Sequence, residues 1–271
     1  VENKGLDFSI DYVKRFNKDF DMSFKGTFTY AHNKVLEYDE PDFQKYPNIS
    51  RVGHSVDQQL LYIAERLFID DSEVQRNPKQ NLGGWVSGGD IKYKNLPDVN
   101  GNYDNVIDSN DRQYTGMPTT PEIVYGFGPS FRYKKFDFSF FFQGAARVSI
   151  MMNGIHPFGA EGTRNVLQFI ADDYWSETNQ NIYAEYPRLS KRDNENNTKA
   201  STYWQRNGAF LKLKNLEVGF NHKFFRVYLR GSNLLTFSPF KYWDPEMGSG
   251  SGLSYPTQRV FNVGVQFSIN K

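Results

Sequence analysis

Apolar and polar residues alternate strictly along several stretches of the chain. Leu6, Phe8, Ile10 and Tyr12 alternate with Asp7, Ser9 and Asp11; Phe20, Met22, Phe24, Phe28 and Tyr30 alternate with Asp21, Ser23, Lys25, Thr27 and Thr29. Ile123, Tyr125, Phe127, Phe131 and Tyr133 form a third set, and Phe136, Phe138, Phe140 and Phe142 a fourth. Successive side chains of a strand point to opposite faces, so each stretch predicts a strand with one apolar side. Leu211 and Leu213 share one phase, whereas Leu216, Val218 and Phe220 take the other, which predicts a β-bulge near Lys214-Asn215. Phe225, Val227, Leu229 and Gly231 continue the pattern, and Phe261, Val263, Val265, Phe267 and Ile269 close it. Gln58 to Glu73 suits a helix face about as well as a pair of strands, and its pattern leaves the choice open.

The joints add a second pattern. Lys18-Asp19 and Lys134-Lys135 each separate two alternating stretches and predict tight hairpin turns. Between the hairpins lie long polar segments, at 39–58, 70–118 and 144–208. Short turns on one side and long loops on the other are the asymmetry of an outer-membrane barrel; the connections of a soluble sandwich are usually short at both ends.

Composition supports this picture. Aromatic residues make up 17% of the 271 residues, with 24 Phe and 17 Tyr, although the mean hydropathy is only −0.66. No run of about 18 apolar residues exists to span a bilayer as a helix. A transmembrane barrel reconciles the two, because one face of every strand meets lipid while the other meets water. With 32 Lys and Arg against 31 Asp and Glu, there is no electrostatic case for nucleic acid. Zero cysteine excludes disulfides and thiolate metal sites. Val1 to Asp11 alternates from the first residues without the basic end and apolar core of a signal peptide, so a segment of a longer chain is expected.

The sharpest local chemistry is an Asn/Asp-rich segment over residues 100–111. In a twelve-residue calcium-loop register it offers Asn100, Asn102, Asp104, the Val106 carbonyl, Asp108 and Asp111 as oxygen ligands, with Asn105 at the tight-turn position. Asn at the first position and the short Asp111 at the last depart from that pattern. The other reading is a solvated turn whose side chains bond their own backbone. The histidines His32, His54, His156 and His222 are scattered, and no nucleophile, P-loop or zinc motif occurs, so no enzymatic constellation can be assigned. Trp85 and Trp175 are candidates for ligand contact, and Trp243 for an interfacial belt or the root of a loop.

Several blocks, in order along nearly the whole chain, resemble the C-terminal barrel of SusC/RagA-type TonB-linked (TonB-dependent) outer-membrane transporters of Bacteroidetes. They are Gly89-Asp90-Ile91-Lys92-Tyr93-Lys94, Thr115-Gly116-Met117-Pro118, Tyr186-Pro187-Arg188-Leu189, Leu211 to Phe220, Gly231 to Thr236, and Trp243-Asp244-Pro245-Glu246. The resemblance implies an all-β fold: residues 1–271 as the C-terminal part of an antiparallel transmembrane β-barrel of about 22 strands with long extracellular loops. The family's plug and N-terminal domains have no counterpart in these residues. An open part-barrel would leave backbone groups unpaired in lipid, each costing several kcal/mol, so further strands must complete the wall. The resemblance further implies nutrient uptake across the cell outer membrane, of a glycan oligosaccharide or peptide, with a SusD-like surface lipoprotein as partner. TonB would act through the missing N-terminal part, and no catalysis is implied. The competing reading is a soluble β-sandwich module that binds carbohydrate through its Trp and Tyr residues.

Overall fold

In the computed structural model, residues 1–159 and 162–268 are described; Ile269, the last position of the closing apolar series, lies outside them. Seven long strands form one antiparallel sheet in sequence order: β1 (Glu2–Arg15), β2 (Phe20–Lys34), β3 (Ile123–Tyr133), β4 (Phe136–Ala146), β5 (Phe210–Asn221), β6 (Phe225–Phe237) and β7 (Val260–Phe267). The register carries the period-2 pattern across the whole sheet. One row of partners runs from Met22 through Phe131, Phe138, Val218 and Leu229 to Val263. Another runs from Phe8 through Phe28, Tyr125, Gly144 and Leu211 to Phe237. The result is one continuous apolar face with stacked rings such as Phe127 and Phe142, whose centroids are 5.6 Å apart. Among the described residues nothing covers it: Phe8 is 54% exposed and Val263 75%.

The opposite face is polar and cross-linked between strands, some of them neighbours and some one strand apart. Arg132 of β3 donates to Asp21 of β2 at 2.8 Å. Arg226 of β6 reaches Asp137 of β4 at 2.5 Å and Glu217 of β5 at 2.7 Å. Such pairs satisfy the charges of this face, where a cross-strand partner adds a few tenths to about 1 kcal/mol.

The expected bulge is present. Asn215 pairs with Phe141 but Leu213 with Phe142, so Lys214 is one residue in excess of β4. On the other side, Leu213 pairs with Leu235 and Asn215 with Ser232, which sets Asn233 and Leu234 opposite Lys214. Asn233 takes up the distortion at φ 55°. The extra residues return Leu216, Val218 and Phe220 to the apolar face.

Connections β1–β2, β3–β4 and β5–β6 are short turns, over residues 16–19, 134–135 and 222–224; Lys134 adopts φ 53° in the second. The other three connections, 35–122, 147–209 and 238–259, all leave the opposite end of the antiparallel sheet. They are not simple loops. Together they fold into a layer with its own apolar core, including Leu61, Leu67, Ile91, Met151, Trp204 and Phe240, and every residue of that buried cluster lies outside the seven long strands. The segment 58–73 resolves into two short strands, Gln59–Tyr62 and Ala64–Leu67, followed by helix α1 (Asp71–Arg76). The strands pair with the distant Arg112–Thr115 and Ile91–Tyr93. Asp70 caps α1 by accepting from the Glu73 amide at 2.7 Å.

Candidate functional site

The loop layer is organised around a carboxylate. Asp90 is fully buried, and a buried charge is tolerated only when donors surround it. Its Oδ1 accepts from the side-chain amides of Asn194 and Asn197, each at 2.9 Å. Its Oδ2 accepts from the Ser87 amide at 2.8 Å and from the Arg188 guanidinium at 3.0 Å. The remaining polar groups of the two asparagines are also engaged. Asn197 Oδ1 takes the Ile91 amide at 2.9 Å, and Asn194 Oδ1 takes the Asn196 amide at 3.0 Å. Gln80, Asn196 and the Tyr93 backbone extend the network, with Gln80 donating to Asn196 at 2.6 Å and accepting from the Tyr93 amide at 2.7 Å. The first two long connections are thereby welded together.

Directly beside this network opens a cavity of about 440 Å³ whose wall includes Arg188, Asn194 and Asn197. Its floor is apolar, from Met152, Ile155, Tyr186 and Trp204. The polar tips of the two rings are engaged: the Tyr186 hydroxyl donates to the Ile155 carbonyl at 2.9 Å, and the Trp204 indole N–H to the Asn197 carbonyl at 2.7 Å. Burial raises the pKa of the Tyr186 hydroxyl far above the phenol range, so it stays neutral. The rim carries Asn153, Arg192 and the pair His156–Asp193, whose Nε2 and Oδ1 are 3.3 Å apart.

The third long connection is fixed to the sheet by charge. Lys212, buried on the polar side of β5, meets Asp244 and Glu246 at 2.5 Å each, and the bulge residue Lys214 reaches Glu246 at 2.9 Å. Burial works to raise the Asp244 pKa, but the bond from Lys212 and the Glu246 amide outweigh it and hold the carboxyl below its usual value. Trp243 packs edge-on against Phe240, centroids 4.6 Å apart, at the root of this loop.

The residues singled out by sequence fall as follows. Asn105 adopts φ 60°, the left-handed conformation its turn position requires. Asn100 and Asn102 donate their backbone amides to Asp98, both at 2.9 Å. Asp104 accepts from the Val106 amide at 3.0 Å, and Val106 pairs with Lys79 in a short parallel bridge. Asp108 caps the turn Ser109–Asp111, and the buried Asp111 accepts from the Leu96 and Asp108 amides at 2.6 and 2.8 Å. Burial raises the Asp111 pKa above the usual carboxylate value, with a further contribution from Asp104 and Asp108. Of the aromatic candidates, Trp85 is 73% exposed with the Arg188 guanidinium over its ring. Trp175 is not available to a ligand: it is buried against Gly89 because the glycine leaves room for its ring. His32 pairs with Glu122, His54 stacks on Tyr114 and His222 packs on Phe225, so the histidines occupy separate places. Sequence reasoning assigned Asp90 no role, although it is the second residue of one of the family-like blocks.

No family model matches the chain. It is 28% identical to TonB-dependent receptor P3 of Formosa agariphila over 98% of its own length, and 24% identical to TonB-dependent receptor SusC of Bacteroides thetaiotaomicron over the same share. It spans 28% of the first relative and 26% of the second. Among solved structures, that of the RagAB peptide transporter superposes over 98% of this chain and 29% of its own, with a TM-score of 0.66 and 22% identity. The RagAB peptide importer in the 'open-open' state gives a TM-score of 0.67. The apolar-faced antiparallel sheet with its folded loop layer is therefore the fold of a RagA-type neighbour, and over nearly its whole length the chain is similar to TonB-dependent receptors of the SusC and RagA type.

Proposed function

We propose that this chain forms part of the wall and the outer mouth of an outer-membrane barrel that imports a nutrient, a glycan oligosaccharide or a peptide, in a TonB-dependent manner. One observation carries the reading: an apolar face continuous across seven strands, with all short turns at one end and all three folded loops at the other. Water would penalise that face over its whole extent, whereas lipid would solvate it. The free edges of β1 and β7 are where the rest of a barrel of about 22 strands would pair, since unpaired edges are not tolerated in hydrocarbon. The loop layer would lie outside the cell, above the lumen, where a SusD-like lipoprotein would close over it. Relatives that are receptors and transporters support a role without catalysis.

The test is made on the full-length parent protein. It is expected to fractionate with outer membranes, to need detergent for solubility and to show a heat-modifiable shift in gel migration. Uptake of its nutrient should stop when TonB is depleted. A water-soluble, monodisperse product without heat modifiability would instead support the sandwich module. The uncovered apolar face argues against that module, whose sheet would need a second layer packed upon it.

A further inference from the structure

We propose that the short-turn end of the sheet is a docking rim for the headgroups of anionic phospholipids, in the leaflet that meets the turns; the proposal rests on the barrel reading above and goes beyond it. Surplus positive charge and a row of rings coincide there.

The charge is local and unmatched. Lys18 lies in the first turn, Lys134 and Lys135 form the second, and Lys223 lies in the third, while Lys14 and Arg15 end β1 beside them. All six are exposed, and none makes an ion pair among the described residues. Asp19 is the only carboxylate within the three turns. The cations at the nearby strand ends are already matched, Arg132 by Asp21 and Arg226 by Asp137. Since the whole chain carries only +1, this surplus belongs to one end and attracts anions to it.

The rings set the level at which those anions would sit. Phe20, Tyr133, Phe136 and Phe220 are successive partners across β2 to β5, and they end the apolar face just before the turns. Phe16 stacks on Phe20 with centroids 5.0 Å apart, and Phe136 lies 5.2 Å from Phe220. Such a band marks where hydrocarbon gives way to headgroups. The lysines are held at that level. Lys14 is on the apolar face, in register with Met22, and its ammonium lies 5.1 Å from the centre of the Phe16 ring. The ammonium of Lys134 is 5.3 Å from the Tyr133 ring, and that of Lys223 is 5.4 Å from the Phe224 ring. A lysine stem can cover apolar surface in this way while its head reaches the polar layer.

The layout selects a lipid. The cations are spread over three separate turns along the margin of an apolar face, whereas a single small anion needs donors that converge. A phosphodiester headgroup with its chains on the apolar face meets one lysine and one ring at once. Lysine suits this task, because as a point charge it holds a phosphate without fixing its orientation. A net negative headgroup is favoured over a zwitterionic one, whose own amine would face the same cations.

The experiment uses the full-length parent protein, with a photoreactive benzoylphenylalanine replacing the exposed Phe224, in bilayers of equal parts phosphatidylglycerol and phosphatidylcholine. Mass spectrometry reads the ratio of the two lipids crosslinked at that position. Phosphatidylglycerol is expected in about fivefold excess, the preference that one lysine near an anionic headgroup supplies. Combining Lys18→Gln, Lys135→Gln and Lys223→Gln, one from each short turn, should bring the ratio close to one. The charge-matched set Lys79→Gln, Lys191→Gln and Lys241→Gln, exposed in the loop layer, should leave it unchanged. In the protein with its lysines intact, about 1 M salt should also bring the ratio close to one, because exposed charges are screened there. An equal ratio at low salt, an excess that survives both the rim substitutions and salt, or an excess lost equally with the loop-layer set overturns the proposal. A protein that enters the bilayer with heat-modifiable migration but shows no preference sinks the rim alone. One that does not enter the bilayer sinks the barrel reading, and the rim with it.

Discussion

Glu73 draws three donors at once: Arg66 at 3.0 Å, the Ile69 amide at 2.9 Å and Lys92 at 3.1 Å. Burial alone would raise its pKa, but these bonds outweigh it and hold the carboxyl at about 2, against an ordinary 4.5. A folded-state pKa below the unfolded one stabilises fully above pH 4.5, and the contribution disappears as pH falls toward 2. The protease resistance of the loop layer is therefore expected to decline across that window. Glu73→Gln should lose roughly 1–3 kcal/mol near neutral pH and remove that part of the pH dependence; an unaltered profile in the variant would count against this account. Gly89 gives a second case. It sits at φ 79°, and a Cβ there would fall 2.2 Å from the Trp175 ring. Gly89→Ala should destabilise the layer by roughly 2 kcal/mol or more, read as a drop in its melting temperature. Neither role shows in local sequence, because Lys92 reaches Glu73, and Trp175 reaches Gly89, from other elements. Asp90 is the extreme instance: Arg188, Asn194 and Asn197 lie 98, 104 and 107 residues away. Asn105 could be read, because a left-handed turn position is a property of the residue itself.

At the scale of elements, strands were readable where the alternation ran unbroken over a long stretch. The bulge was readable too, since a one-residue slip reverses the apolar phase and leaves its mark in the pattern. The short strands of the loop layer were not. Gln59–Tyr62 and Ala64–Leu67 are four residues each and pair with different, distant partners, so no period develops. The bulge has two effects that deletion of Lys214 should separate from ordinary loss of a side chain. Removing the residue turns Leu216, Val218 and Phe220 toward the polar face and takes one lysine from Glu246. Lys214→Met removes only the charge. The deletion is expected to abolish the heat-modifiable form in outer membranes while Lys214→Met retains it; equal behaviour of the two would mean that the register does not depend on the bulge.

Across the whole molecule, β7 pairs with β6 over Phe225–Ser232 and leaves its other edge open. Truncation of the parent protein before Arg259 removes that strand and exposes the β6 backbone in its place. No stable assembly in the outer membrane is then expected, and normal insertion of the truncated protein would contradict a closed wall. On the proposed reading the strands that would complete a wall are not among these seven, so closure could not be read from their alternation.

The placement of the buried apolar cluster, wholly in the connections and never in the sheet, gives the molecule two insides. The loop layer hides its greasy side chains from water as an ordinary small domain does, while the sheet turns its own outward and, on the proposed reading, relies on lipid to receive them. Urea should therefore melt the first while the second, its backbone bonds sheltered in hydrocarbon, still stands, and detergent extraction should threaten the second more than the first. No single melting temperature describes such a protein. On the proposed reading, the loop layer can lose its shape while the sheet is intact, so a protein that still sits in the membrane would not thereby have kept the means to recognise what it carries.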